Sequence, residues 1–246
     1  MSQTVVTVLF VLVQAFSNFV QAVTGFGGGP ISMPPSMALV GINEAKAAVT
    51  CILWITCVII SVREIKNIDF KHLGIILACM IPGVIVGMWL FATLPLAVLM
   101  LVYGIIVVFI GLWKLFFPES GGLPASVRIG ALILSGLMQG MFTSGGPFLV
   151  IYAVSAIHDK NRFRATISTV WAVINTYMVG RMIFSGMYAN GEYMLVVYSL
   201  IPVAIAIFVG KKVADRLDRE LFLKVIYALL AISGALLIYN YFAAAV

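Results

Sequence analysis

Gln21-Ala22-Val23-Thr24-Gly25-Phe26-Gly27-Gly28-Gly29-Pro30 interrupts one long apolar run, and Gln139-Gly140-Met141-Phe142-Thr143-Ser144-Gly145-Gly146-Pro147 interrupts another. Both stretches run from a glutamine to Gly-Gly-Pro. The glutamines lie 118 residues apart and the Gly-Gly-Pro triplets 117 apart. Glycine permits positive φ and close backbone approach. Proline cannot continue a preceding helix but suits the first turn of the next. Each stretch therefore predicts a helix, a break and a short second helix, about Pro34–Val40 in one case and Pro147–Ile157 in the other. Pro34 and Pro35 are expected to make the first return helix begin later than its counterpart.

Around the breaks the chain is apolar. Of its 246 residues, 63% are hydrophobic and 10% charged, and the mean hydropathy is +1.13. A soluble domain has about 25% charged residues, and so small a fold cannot hide this much apolar surface from water. A soluble enzyme, a disordered chain and a nucleic-acid-binding domain are excluded on that ground. Eight stretches have the length of membrane segments: Thr4–Thr24, Ala45–Val62, Leu73–Leu94, Leu96–Phe117, Val127–Phe142, Ala165–Ser185, Tyr193–Val213 and Leu221–Phe242. The first is too long for a signal-peptide core and follows no basic residue, so it reads as a membrane segment. Cys51, Cys57 and Cys79 lie inside apolar runs and read as small packing residues.

The chain reads as a duplication. Ile81-Pro82 and Ile201-Pro202 repeat at an offset of 120, and Tyr103 and Tyr227 at 124. The expected division is a first membrane repeat over 1–117, a turn-rich cytoplasmic linker over 118–126, and a second repeat over 127–246. Charge separates two topologies through the positive-inside rule. If each broken segment crosses once, the basic residues divide five against nine. If each is a hairpin returning to its own side, thirteen lie on one side and Lys46 alone on the other, with Arg181 inside a helix. The hairpin topology places both termini outside. A hairpin plus three crossings is an odd number, which inverts the second repeat. The expected fold is thus an all-α polytopic membrane protein of two inverted repeats, each a re-entrant broken-helix hairpin plus three transmembrane helices. Such architectures carry secondary transport.

Bare backbone at membrane depth is tolerated where protein buries it or a polar cavity is lined by it. The breaks are therefore the candidate site. Return-helix N-termini favour anions, and Gln21, Thr24, Gln139, Thr143 and Ser144 add neutral donors. Gly27, Gly28, Gly29, Gly145 and Gly146 complete the expected substrate-binding set, with Arg164 as a guide for the anion. Asn18, Thr50, Trp54, Thr166, Trp171 and Asn175 flank the breaks. Lys46, two residues after Glu44, is expected to be solvated. The nine acidic residues all fall in loops or at helix ends, so no buried carboxylate is expected. No catalytic, metal, cofactor or nucleotide motif is found. The partners implied are a small anion and membrane lipid, not nucleic acid; a homodimer stays open.

The two glutamine-to-proline stretches, in this order and spacing, resemble the TauE/SafE sulfite exporter family. The run Phe163-Arg164-Ala165-Thr166 carries the same resemblance. It implies a carrier of sulfite or of organosulfonates such as sulfoacetate in the bacterial inner membrane, moving its substrate outward. The residues alone imply a transporter of an anion. An anion channel of the same architecture and a non-transporting membrane scaffold remain alternatives at this point.

Overall fold

The computed structural model describes residues 2–93, 124–188 and 193–244, with positions 101, 104, 105, 108, 109 and 112. Apart from those six positions, the expected span Leu96–Phe117 lies outside the described residues, as does most of the 118–126 linker. The regular structure of the described residues is helical: α1 Gln3–Thr24, α2 Gly28–Val40, α3 Ile42–Arg63, a 3₁₀ turn at Ile65–Asn67, α4 Phe70–Thr93, α5 Ala125–Phe142, α6 Gly146–Ala156, α7 Lys160–Phe184, α8 Tyr193–Arg216 and α9 Arg219–Ala244. Six of them (α1, α3, α4, α5, α7 and α8) are long and apolar enough to cross a membrane. At about 1.5 Å per residue, α2 and α6 are too short to do so. The protein is a multi-pass helical membrane protein.

Large apolar side chains face outward as well as inward, and polar ones are buried beside the apolar core. Trp89, Ile201 and Phe184 are 64%, 74% and 90% exposed, whereas Gln14, Asn18, Thr50 and Ser135 are fully buried. Lipid is as good a solvent for apolar groups as a protein core, so polar residues turn inward and small residues bring helices together. Gly83 and Gly87 of α4 lie against the backbone of α5, and Gly136 and Gly140 of α5 lie against that of α4. A side chain at any of the four would overlap main-chain atoms of the other helix. Gly210 of α8 makes a similar approach to Phe19 and Ala22 of α1. Helices α3 and α7 pack on each other.

The two ends of the bundle differ. At one end, Gln3 and Thr7 of α1 line a groove with Leu39 and Val40 of α2, so α2 finishes where α1 began. At the other end, Arg164 pairs with Glu64 at 2.9 Å, the amide of Asp69 donates to Thr166, His72 meets Tyr152, and Lys160 donates to the Ala214 carbonyl. The charged loops after α3, before α7 and after α8 therefore gather together.

One expectation about the hairpins is corrected. Pro34 and Pro35 do not delay the first return helix. It starts at Gly28, 118 residues before the start of α6 at Gly146, and runs through both prolines. Pro30 falls in the first turn, where its missing N–H removes no helical bond. The two later prolines leave the helix without two internal bonds, which α2 tolerates while packed between α1 and α3.

Candidate functional site

Each break is tied by its glutamine. The Gln21 Oε1 accepts from the Gly28 amide at 3.1 Å, and its Nε2 donates to the Gly25 carbonyl at 2.8 Å. The Gln139 Oε1 accepts from the Gly145 amide at 3.0 Å, and its Nε2 donates to Asn175 Oδ1 at 2.9 Å. A helix N-terminus leaves its first amides without intrahelical partners. The glutamine satisfies one of them from the end of the preceding helix, and so fixes the angle between the two arms.

The turns need unusual backbone. Gly25 and Gly27 have φ of +82° and +95°. In the second break the residue after the helix is Thr143, at φ +53°, a region costly for a β-branched side chain. Its hydroxyl is held by that of Thr50, 2.9 Å away on α3. The two breaks touch: Gly29 faces the Thr143 carbonyl so closely that a Cβ would overlap the oxygen, and Gly146 faces the Phe26 ring.

Between the breaks lies a cavity of about 10 Å³, lined by Gln21, Gly27, Gly29, Pro30, Leu53, Cys57, Gln139, Thr143, Gly146, Trp171 and Asn175. That is room for about one water. Of the expected site residues, Gln21, Gly27, Gly29, Gln139, Thr143 and Gly146 line it. Gly28 and Gly145 adjoin it as the amides bound by the glutamines. Thr24 turns away, donating to the Val20 and Phe26 carbonyls at 2.9 and 2.6 Å. Ser144 is buried beside the second break. Arg164 lies apart from this cavity, in the charged cluster at the end of the bundle. Of the flanking residues, Trp171 and Asn175 reach the cavity, while Trp54 donates to Thr176 instead.

The site also contains residues that their own sequence context does not single out. Leu53 and Cys57 line it, and Cys57 Sγ receives a bond from Gln21 at 3.4 Å. Leu53 and Trp171 are 118 residues apart, and so are Cys57 and Asn175. The offset between the glutamines, applied along α3, would have found both.

Two expectations about charge are overturned. Lys46 is not solvated: it is 2% exposed, donates to the Gly140 carbonyl at 2.9 Å and sits 3.3 Å from the centre of the Phe91 ring. Glu44, the nearby acid, is exposed, and α3 turns Lys46 inward against α5. Glu64 is a buried carboxylate, 7% exposed, because the charged loop ends fold over one another. It accepts from Arg164 at 2.9 Å and Lys211 at 2.6 Å. Burial pushes the Glu64 carboxyl up. Hydrogen bonds from Lys211 and Asn67, with the Arg164 and Lys211 charges, outweigh this and hold it below its ordinary value.

Lys46 and Arg164 are also 118 apart, and they do the same thing. Arg164 donates to the Ala22 carbonyl at 3.3 Å, the residue after Gln21; Lys46 donates to Gly140, the residue after Gln139. Each cation thus reaches from α3 or α7 to the hairpin in the other half of the chain.

Two glutamine-tied helix breaks thus meet inside a bundle of apolar helices, the frame of a polytopic membrane protein. The family model of the sulfite exporter TauE/SafE matches residues 10–237, and the chain belongs to that family, whose members are transporters rather than enzymes. No curated protein and no solved structure matches the chain.

Proposed function

We propose that the protein is a secondary carrier that exports small sulfur-containing oxyanions, sulfite or an organosulfonate such as sulfoacetate, across a bacterial cell membrane. The observation that carries this reading is the meeting of the two breaks at one polar cavity. The anion binds there, held by return-helix amides and by Gln21, Gln139 and Thr143, with Ser144 and Thr24 supporting the turns. Both return helices aim their positive ends at the same point, and anions bind at such ends.

The cavity described is too small for an oxyanion, so binding requires the breaks to part. We read the two halves as inverted repeats whose relative rocking opens the cavity to each side in turn. The exchange of contacts supports this: α1 packs on α8 as α5 packs on α4, and residues 118 apart make equivalent bonds. The gathering of basic loops at the Glu64 end supports a cytoplasmic location for that end, with both termini outside. An interior-negative potential drives a monoanion outward by about 2.3 kcal/mol per 100 mV, so export needs no coupling ion.

Counterflow tests the proposal. Liposomes holding the protein and unlabelled sulfite or sulfoacetate should transiently concentrate the labelled anion from outside. An anion channel equilibrates label without overshoot, and a scaffold moves none; either result rejects the carrier.

A further inference from the structure

Among the described residues, Lys46 is a cation placed in the apolar interior with no carboxylate against it. Among the described residues its polar partner is the Gly140 carbonyl, and a ring face covers it. A buried ammonium is costly unless an anion pairs with it, and a carbonyl with a cation–π contact compensates only part of that cost. Its counterpart Arg164 has its carboxylate, Glu64, at 2.9 Å. The same structural position is thus neutralised in one half of the chain and left open in the other. Lys46 also shares a helix face with the cavity. Thr50, one turn on, holds Thr143, and Leu53 and Cys57 beyond it line the cavity. Gly140 adjoins Gln139, which lines it from the other side.

We propose that Lys46 is a binding residue for the carried oxyanion. It exchanges the Gly140 carbonyl for a sulfonate or sulfite oxygen as the anion passes between the cavity and the end of the bundle opposite Glu64. This rests on the carrier reading above and names the residue that supplies the counter-charge. The neutral cavity supplies shape and hydrogen bonds; Lys46 supplies the selection for negative charge. The site would take small oxyanions and reject neutral molecules of the same size.

The test uses purified full-length protein, with sulfite, sulfoacetate, sulfate and inorganic phosphate as probes in titrations of melting temperature and of Kd. Lys46→Met keeps an unbranched side chain, one atom shorter, and removes the charge. It should bind at least tenfold more weakly and, without anion, melt no lower than the unaltered protein, since it relieves an unpaired buried charge. Lys46→Arg, which keeps the charge in a bulkier group, should bind more tightly than Lys46→Met. Unaltered affinity in Lys46→Met overturns the proposal. So does a lower melting point in that variant with affinity retained, which would make Lys46 a structural tie to Gly140. If Lys46→Met fails to fold, Lys46→Gln, which can still donate to the carbonyl, decides by the same tenfold criterion. If the unaltered protein binds none of the four probes, the anion-carrier reading fails, a result distinguishable from a failure of Lys46 alone.

Discussion

At the first break Gly25 bends the chain with no side chain to accommodate; at the second, Thr143 makes the equivalent bend and is held there by Thr50. Gln21 leans on a backbone carbonyl and a thiol, whereas Gln139 leans on the side chain of Asn175. Leu53 faces the cavity on one side and Trp171 on the other. The framework is duplicated: a glutamine, an amide it binds, and a cation donating one residue further on. The groups that look into the cavity are not. One half presents a thiol and an aliphatic chain, the other an amide, a hydroxyl and an indole. A duplicated frame thus holds unlike side chains around one cavity.

The sharpest way to break this comparison is at the contact between the breaks. Gly29→Ala puts a methyl on the Thr143 carbonyl, where backbone meets backbone. It should abolish transport and cost about 3 kcal/mol of stability. Gly146→Ala meets the Phe26 ring at 3.0 Å, and a ring can shift, so about 1 kcal/mol is expected. Equal melting points for the two variants would refute the direct contact of the breaks.

Next in size is the charged end. Glu64→Gln removes the nearer carboxylate of the buried Arg164, leaving Asp215 at 3.9 Å, and should cost about 3 kcal/mol. The pH dependence follows from the lowered carboxyl. Stability from this group is fully present above the unfolded-state value, about 4.3, and is lost as pH falls through the lower folded value. The melting temperature should therefore drop in acid more steeply in the unaltered protein than in Glu64→Gln. Parallel acid profiles would remove Glu64 from that role.

Smaller effects sharpen the difference between the glutamines. Each, replaced by alanine, should weaken sulfonate binding about tenfold, in line with the loss of a buried hydrogen bond. Each replacement strands one glycine amide; Gln139→Ala should be the worse, because the acceptor it strands, Asn175 Oδ1, lines the cavity, whereas the Gly25 carbonyl stranded by Gln21→Ala does not. Unchanged affinity in both would dismiss the cavity as the binding site. The smallest effect is expected for Thr143→Gly: relief of the positive φ offsets the lost bond to Thr50, leaving a net change within about 1 kcal/mol by thermal melt.

The helices, the breaks and the glutamines were readable in the sequence because Gly-Gly-Pro interrupts an apolar run, and a duplicated interruption is hard to reach by accident. The starting point of the first return helix was misjudged at Pro34 and Pro35, since a proline inside a helix is tolerated when neighbouring helices pack around it. Charge was read as topology, and the structure brings Glu64, Arg164 and Lys211 of three of those loops together. The charge reading failed at Lys46, because a single lysine near a helix end has the same sequence signature whether it faces water or a neighbouring helix. Glu64 was missed for the complementary reason: a loop acid is buried only when other loops close over it. Cys57 and Leu53 carry no signal of their own and emerge only when the offset of 118 is applied to residues that look ordinary.

The narrow cavity between the breaks has a further consequence. One water's worth of space cannot thread a continuous file of water from one face to the other. Between the two breaks a proton therefore finds no chain of water to hop along.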